Sequence, residues 1–283
     1  MSNQLIRRQY SSKNTEVLLF RSVCRKYGAE VFSRVPAGDL IDADALAAGS
    51  CGLKKRQLHH ALSVRFDNVV SREDGTPVFA VDFGDAGGRR AARAKRALCR
   101  HAALPYLHVR SAYLRPRKRR CMLLSWCMEL WFEHEEYRYW QAEGVLPQDK
   151  PMNIFDALAD EPAAAWPVAL FQELSDELQR LRGKAAMCEL RAEFRIGVDG
   201  SGTHRGIAMV RAGDGTGLAV RAKLRAENAD GMPVDLLKAI LICHLLRKLR
   251  RRGLRSTGTL ADCERWFDRR CTALANGVFG WGL

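Results

Sequence analysis

The segment Val64–Asp85 reads VRFDNVVSREDGTPVFAVDFGD, and it decides the fold of the N-terminal part of the chain. Two runs rich in β-branched and aromatic residues flank the dipeptide Asp74-Gly75, the strongest short-range signal for a β-hairpin. If these two residues form the loop, counting outward places Asp67 directly opposite Asp82. The side chains of directly opposed residues have Cβ atoms roughly 4.5–5.5 Å apart.

Two like charges at that separation destabilise a sheet unless a cation lies between them. A divalent ion, Mg²⁺ or Mn²⁺, is the usual cation, and phosphodiester cleavage is a common use of such a site. Two other interpretations stay open: both aspartates are solvated at the strand ends, or the turn is longer and the register differs.

The chain has 283 residues, a mass of 31.8 kDa, a net charge of +14 and a pI near 9.7. Such a charge excess favours polyanionic partners, with DNA expected rather than RNA. A basic protein that binds another protein is the alternative. The hydrophobic content of 47% is ample for a globular core.

Nine cysteines are scattered along the chain without a C-x-x-C pair or a zinc-finger spacing. We therefore expect no zinc site, and we expect no nucleotide cofactor. Scattered thiols suit a reducing compartment. No apolar run approaches the roughly 20 residues of a membrane span, and no apolar signal core follows the first arginines. The expected location is the cytoplasm, without membrane contact.

The order of predicted elements indicates an α/β protein of the α+β type. Residues 14–114 read as helix, strand, two-stranded hairpin, helix and strand, which is an αβββαβ domain. Residues 115–183 begin with a basic linker and continue as a helical region. Residues 184–283 read as an antiparallel three-stranded β-meander plus helices, the last over Leu260–Asn276. Residues 1–13 are polar and expected to be loose.

Three stretches resemble the PD-(D/E)XK nuclease superfamily and, within it, a bacterial domain family of unknown function. They are Phe66–Val70 on the first hairpin strand, Val78–Asp85 on the second, and Ala103–Val109 after the basic helix. The resemblance covers residues 15–112 and implies a restriction-endonuclease-like αβββαβ domain.

The resemblance implies that Asp67 and Asp82 bind one or two Mg²⁺ or Mn²⁺ ions and are the catalytic acids. It also places Glu16 where such nucleases often keep an acidic residue. These nucleases carry a lysine two positions after the second acid, but here that position is Gly84. Lys95, Arg89 or Arg93 on the next helix could supply the missing cation, and Asp85 could give a third carboxylate.

A second stretch, Arg195–Val210, resembles the first hairpin of RNase H-like enzymes, with Asp199 closing the strand. The further carboxylates of such a site are not evident, and Asp-Gly-Ser-Gly is also a good turn without chemistry.

Three functions remain open. The first is a nucleic-acid-binding protein with a degenerate nuclease-like domain, working in a larger complex. The second is an active Mg²⁺- or Mn²⁺-dependent DNA endonuclease, and the third is a protein-interaction subunit that uses the tryptophan-bearing helix at 121–140. Roles in repair, in defence against phage and in mobile-element transfer are all compatible with the first two functions. The residues expected to contact nucleic acid are Arg89, Arg90, Arg93, Lys95, Arg96, Arg115, Arg117, Lys118, Arg119, Arg120, Arg247, Lys248, Arg250, Arg251, Arg252 and Arg255.

Overall fold

A computed structural model describes residues 21–41, 59, 61–84, 88–110, 117–149, 168–185, 190–214, 216–229, 232–254 and 258–282. The chain divides into two compact units. The first comprises Met1–Phe132 and Arg225–Asp230, and the second Glu133–Leu224 and Gly231–Leu283. The predicted boundaries at residues 114 and 183 fall inside these units.

The first unit contains a four-stranded mixed sheet in the order β1-β2-β3-β4. Strand β2 pairs with both β1 and β3 in antiparallel orientation, and β4 runs parallel to β3. Its elements are α1 (Arg21–Lys26), β1 (Ala29–Pro36), a 3-10 turn (Ala37–Asp39), β2 (Arg65–Arg72), β3 (Pro77–Phe83), α2 (Gly88–His101), β4 (Tyr106–Arg110) and the beginning of α3 (Arg117–Ala142).

The two faces of this sheet are covered by different helices because side chains alternate along β3. Ala80 belongs to a buried cluster with Leu98 of α2 and Tyr106 of β4. Phe79 points to the other face, where its ring lies 5.4 Å from that of Trp131 in α3. The helix α2 therefore packs on the face of the sheet that also carries Asp82.

The second unit contains strands in the order β7-β6-β5-β8, with β5 antiparallel to both β6 and β8. The end of α3 belongs to this unit. Its other elements are α4 (Val168–Ala185), β5 (Leu190–Val198), β6 (Thr203–Ala212), β7 (Gly217–Glu227, of which the last three residues belong to the first unit), α5 (Met232–Arg252), α6 (Gly258–Asp268) and β8 (Thr272–Gly282).

Helices also cover both faces of the strands in the second unit. Phe267 and Leu260 of α6 pack on Ile207 of β6. On the other face, a Cβ atom at Gly206 would come within 2.7 Å of Leu241 in α5. The absence of a side chain at Gly206 therefore lets α5 lie close against the sheet.

The predicted fold class is confirmed, and over the described residues the elements follow the predicted order up to α6. Three local predictions are wrong. The last helix ends at Asp268, and Thr272–Gly282 forms β8, because the edge of β5 offers backbone partners. The sequence over Pro167–Arg182 predicts a helix with Gly183 as its C-cap, but helix α4 continues through Gly183 to Ala185. Part of the expected basic linker, Arg117–Arg120, is the first turn of α3. Within the described residues, no helix is long and apolar enough to cross a membrane.

Candidate functional site

Strands β2 and β3 form the predicted hairpin, and the pairs next to the two aspartates have the predicted register. This register directs alternate residues of both strands to the same face. The pairs are Asn68 with Val81, Val69 with Ala80, and Val70 with Phe79.

The turn of this hairpin differs from the predicted two-residue loop. The Gly75 N–H donates to the Arg72 carbonyl over 2.9 Å, and the Arg72 N–H donates to the Thr76 carbonyl over 2.9 Å. Asp74 and Gly75 are therefore the third and fourth residues of the turn, and Gly75 has a φ of 88°. A bulge beside Val70 and Ser71 then restores the predicted register.

The two aspartates each bind the backbone of the opposite strand. The Asp67 N–H donates to Asp82 Oδ1 over 2.8 Å, and the Phe83 N–H donates to Asp67 Oδ2 over 2.9 Å. The side chains thus take the place of ladder hydrogen bonds where the strands separate. This reciprocal exchange brings the predicted pair together and gives it a structural role.

The second oxygen of Asp82 accepts two further hydrogen bonds from buried side chains. Lys95 Nζ of α2 lies 2.6 Å from Asp82 Oδ2, and the Tyr106 hydroxyl of β4 donates to the same oxygen over 2.7 Å. Lys95 and Asp82 are only 2% and 1% exposed. The carboxylate is therefore neutralised by a cation of the protein itself.

Aromatic rings complete the surroundings of this ion pair. Lys95 Nζ lies 5.4 Å from the centroid of the Phe66 ring, which packs edge-on against Tyr106. Burial, together with the charge and the hydrogen bond of Asp82, raises the pKa of Tyr106 well above its usual value. The phenol therefore keeps its proton and remains a donor to Asp82.

The residues of this cluster do not fit a divalent metal ion. Mg²⁺ and Mn²⁺ need open carboxylate oxygens and usually keep several water ligands. Asp82 already accepts three hydrogen bonds, and its side chain is closed off from solvent. The Lys95 ammonium occupies the position beside Asp82 Oδ2 that a metal would need. No group of three or more potential metal ligands was found among the described residues.

Gly84, at the position of the nuclease lysine, begins the departure of the chain from β3. Its φ is 77°, a backbone conformation that is strained for a side-chain-bearing residue. Its N–H donates to the Val109 carbonyl over 2.8 Å, and its carbonyl accepts a hydrogen bond of 2.8 Å from His108 Nε2. This backbone geometry favours glycine over lysine at position 84.

Tyr106 and His108 are the site residues that the sequence analysis missed. Both lie on β4, which places Tyr106 beside Ala80 and His108 beside Asp82. The alternation in β4 signalled that the two side chains share a face. The register of a parallel pair is set by the helical crossover, so no turn signal could have predicted the partners.

The basic residues of α2 divide between its two faces. Arg89, Arg90 and Arg93 are exposed, and none is paired with a carboxylate of a described residue. Arg96 is half-buried and donates to the Ala92 carbonyl. Lys95 points inward, so the expectation that it contacts phosphate does not agree with its burial.

Two of the basic residues at the end of α5 form contacts within the protein. Arg250 forms an ion pair with Glu173 at 2.9 Å, and Lys248 donates to the Ala219 carbonyl over 2.9 Å. Arg247 is half-buried, and Arg251 and Arg252 are exposed. Glu16, Asp85, Arg115 and Arg255 lie outside the described residues, as do the side chains of Arg117, Lys118, Arg119 and Arg120.

Asp199 lies in a turn in which both of its carboxylate oxygens have partners. Oδ1 accepts hydrogen bonds from the Ser201 and Thr203 backbone N–H groups, and Oδ2 lies 2.6 Å from Arg205 Nη2. Burial acts to raise the pKa of Asp199, but the hydrogen bond from the Ser201 hydroxyl, together with the contacts above, outweighs it and holds the pKa well below the usual value. The arrangement matches a structural turn, the second interpretation of this segment.

The tryptophans expected to form a protein interface are mostly buried. Trp126 and Trp131 are 6% and 5% exposed. Tyr139 and Trp140, near the end of α3, are the exposed aromatic residues of this helix within the described part of the chain.

No protein-family model matches the chain, and no curated protein or solved structure is significantly similar to it. The resemblance to PD-(D/E)XK nucleases therefore stays a prediction.

Proposed function

We propose that this protein binds nucleic acid, with DNA as the preferred class, and that its nuclease-like domain binds without cleaving. The observation that carries this proposal is the pairing of Asp82 with the buried ammonium of Lys95. A carboxylate held in this way stabilises the junction of β2, β3 and α2. It is not free to hold the metal that would activate water.

The solvent-facing side of α2 supplies the binding surface. Arg89, Arg93, Arg96 and Arg100 follow one another at intervals of four, three and four residues, which places them on one stripe of the helix. At 1.5 Å per residue the stripe is about 16 Å long, comparable to about five base pairs of duplex. Arg100 is paired with Glu227 and Arg96 donates to the Ala92 carbonyl, so Arg89, Arg90 and Arg93 are the free cations of this surface among the described residues.

The first turn of α2 also favours an external anion. It contains Arg89 and Arg90 and no acidic residue. The N-terminus of a helix carries a partial positive charge, so two cations there are unfavourable in the isolated protein. A phosphate group bound at this turn would relieve the repulsion, which supports a polyanionic partner.

A second candidate function is an active nuclease in which Lys95 replaces the motif lysine. The 2.6 Å contact of Lys95 with Asp82 favours it, because such nucleases place a lysine beside the second acid. This candidate requires the buried cluster to open to solvent and metal. The closed, hydrogen-bonded state of Asp82 makes the first candidate the stronger one.

The binding surface is tested by fluorescence anisotropy with a labelled 20-base-pair DNA duplex over a range of salt concentrations. We expect Arg89→Gln/Arg90→Gln/Arg93→Gln to reduce the slope of log K against log salt by about three. The charge-matched control, Arg25→Gln/Arg138→Gln/Arg182→Gln, alters exposed arginines elsewhere. Equal losses in both variants, or salt-independent binding, would contradict the proposal. A duplex RNA of the same length tests the preference for DNA.

A further inference from the structure

Three arginines surround one tryptophan in the second unit. The guanidinium carbons of Arg205, Arg221 and Arg270 lie 5.5, 5.4 and 5.8 Å from the centroid of the Trp266 ring. The arginines come from β6, β7 and the turn after α6. The ring thus brings together three cations from separate elements at one place on the surface.

The pattern of the strands explains why these side chains meet. Ile207 of β6 and Ala219 of β7 pack against α6. Arg205 is two residues before Ile207, and Arg221 is two residues after Ala219, so alternation directs both arginines to the face that α6 covers. Trp266 lies beside the buried Phe267 at the edge of this helix and is only half-buried.

Acidic groups do not balance this cluster. Asp199 pairs with Arg205, but Arg221 and Arg270 form no ion pair with a carboxylate of a described residue. Near Trp266 in sequence, Glu264 pairs with Arg211 and Asp262 with Arg265, and the exposed Asp268 forms no ion pair with a described residue. Arg221 and Arg270 are exposed, so their charges face solvent.

The positive charge extends beyond the ring. Lys223 is exposed two residues along β7 from Arg221, on the same face. Lys248 lies close enough to Arg221 and Arg252 to be affected by them, since burial and then these two charges lower its pKa. Cations contributed by several separate elements suit an extended polyanion better than a single small anion.

The indole ring also fixes the direction of the donors. A guanidinium held against an aromatic ring keeps its N–H groups free at the edge, where they can bind phosphate oxygens. We propose that Arg221 and Arg270, held against Trp266 beside the Asp199-paired Arg205, form a second nucleic-acid site, which binds the phosphodiester backbone. This inference rests on the proposed nucleic-acid binding and assigns part of it to the second unit.

The experiment compares the full-length wild type with Arg221→Gln/Arg270→Gln, using the same labelled DNA duplex and salt series. The control is Arg138→Gln/Arg182→Gln, which removes two exposed arginines from α3 and α4. We expect the first variant to bind about tenfold more weakly at moderate salt and to lose about two from the salt slope. The control should keep the wild-type slope, and circular dichroism should show equal thermal transitions for all three proteins.

The outcomes separate the two proposals. Wild-type binding with an unchanged slope in Arg221→Gln/Arg270→Gln would overturn this second site and leave the proposed function standing. An equal loss in the control would also overturn it, because the effect would then come from net charge alone. Absence of DNA binding by the wild type would overturn the proposed function and this inference together.

Discussion

Lys95 Nζ lies 2.6 Å from Asp82 Oδ2, and both side chains are almost completely buried. The pair connects α2 to β3 in the interior of the first unit. Moving two charges out of water costs several kcal/mol for each ion, which their attraction and the added hydrogen bonds offset. The Tyr106 hydroxyl and the Asp67 N–H provide those bonds to Asp82.

Removing one partner of this pair should strongly destabilise the protein. Lys95→Met leaves the Asp82 charge buried without a counterion, and we expect a loss of about 3–5 kcal/mol in the free energy of unfolding. The double variant Asp82→Asn/Lys95→Met should regain most of that loss, because no uncompensated charge remains. Urea denaturation of the wild type, both single variants and the double variant measures the coupling energy.

Arg93→Gln is the control for this cycle, since Arg93 is exposed on the same helix. It should change stability by no more than about 0.5 kcal/mol. Additive losses from the two single changes would contradict the interpretation of Asp82 and Lys95 as one ion pair.

His108 should make the stability depend on pH. Burial lowers the pKa of His108 below the reference value of 6.5. The hydrogen bond with Gly84 and the charge of Asp82 act to raise it, and the charges of Arg110 and Lys95 lower it further. The unfolded chain therefore binds a proton at a higher pH than the folded chain does. The stability that the neutral His108 side chain contributes is fully present above the pKa of the unfolded chain. It is lost as pH falls through 6.5 toward the lower pKa of the folded chain.

We expect His108→Gln to weaken the fall in stability between pH 7.5 and pH 5, as measured by urea denaturation at each pH. His101→Gln, which changes an exposed histidine at the end of α2, is the control and should keep the wild-type profile. A wild-type profile in His108→Gln would show that this histidine does not titrate differently on folding.

Alanine substitutions at two glycines should change the stability of the protein in opposite directions. Gly75 has a φ of 88°, so Gly75→Ala places a side chain in a left-handed conformation and should cost about 1–2 kcal/mol. Gly183 lies inside helix α4, and a Cβ atom there would meet nothing within 4 Å. Gly183→Ala should therefore stabilise the protein by about 0.5–1 kcal/mol. Thermal denaturation of both variants measures these two changes in stability. Changes of the same sign would contradict the positive φ at Gly75 or the helical position of Gly183.

The hairpin shows how far local sequence signals reach. The Asp74-Gly75 dipeptide predicted a turn and the register that brings Asp67 and Asp82 together. The turn is longer by one residue, and the bulge at Val70 and Ser71 compensates for it. The hydrophobic alternation of both strands favours the one register that buries their apolar face. The predicted register is therefore kept although the turn differs from the prediction.

The remaining features depend on contacts between distant parts of the chain. The sequence offered Lys95, Arg89 and Arg93 alike as the missing cation beside Asp82, and only the packing of α2 on the sheet selects Lys95. The Tyr106 hydroxyl reaches Asp82 through a parallel pairing that no turn specifies. The strand Thr272–Gly282 forms against β5, a long-range partner that the local helical pattern of Leu260–Asn276 does not reveal.

The most direct test of binding without cleavage uses supercoiled plasmid DNA with Mg²⁺ or Mn²⁺. The protein is present at concentrations that retard the DNA in a gel, and Asp67→Asn provides the matched variant. We predict that the wild type retards the plasmid and leaves it supercoiled with either metal. Nicking by the wild type that Asp67→Asn abolishes would contradict this prediction and establish the cluster as a nuclease centre.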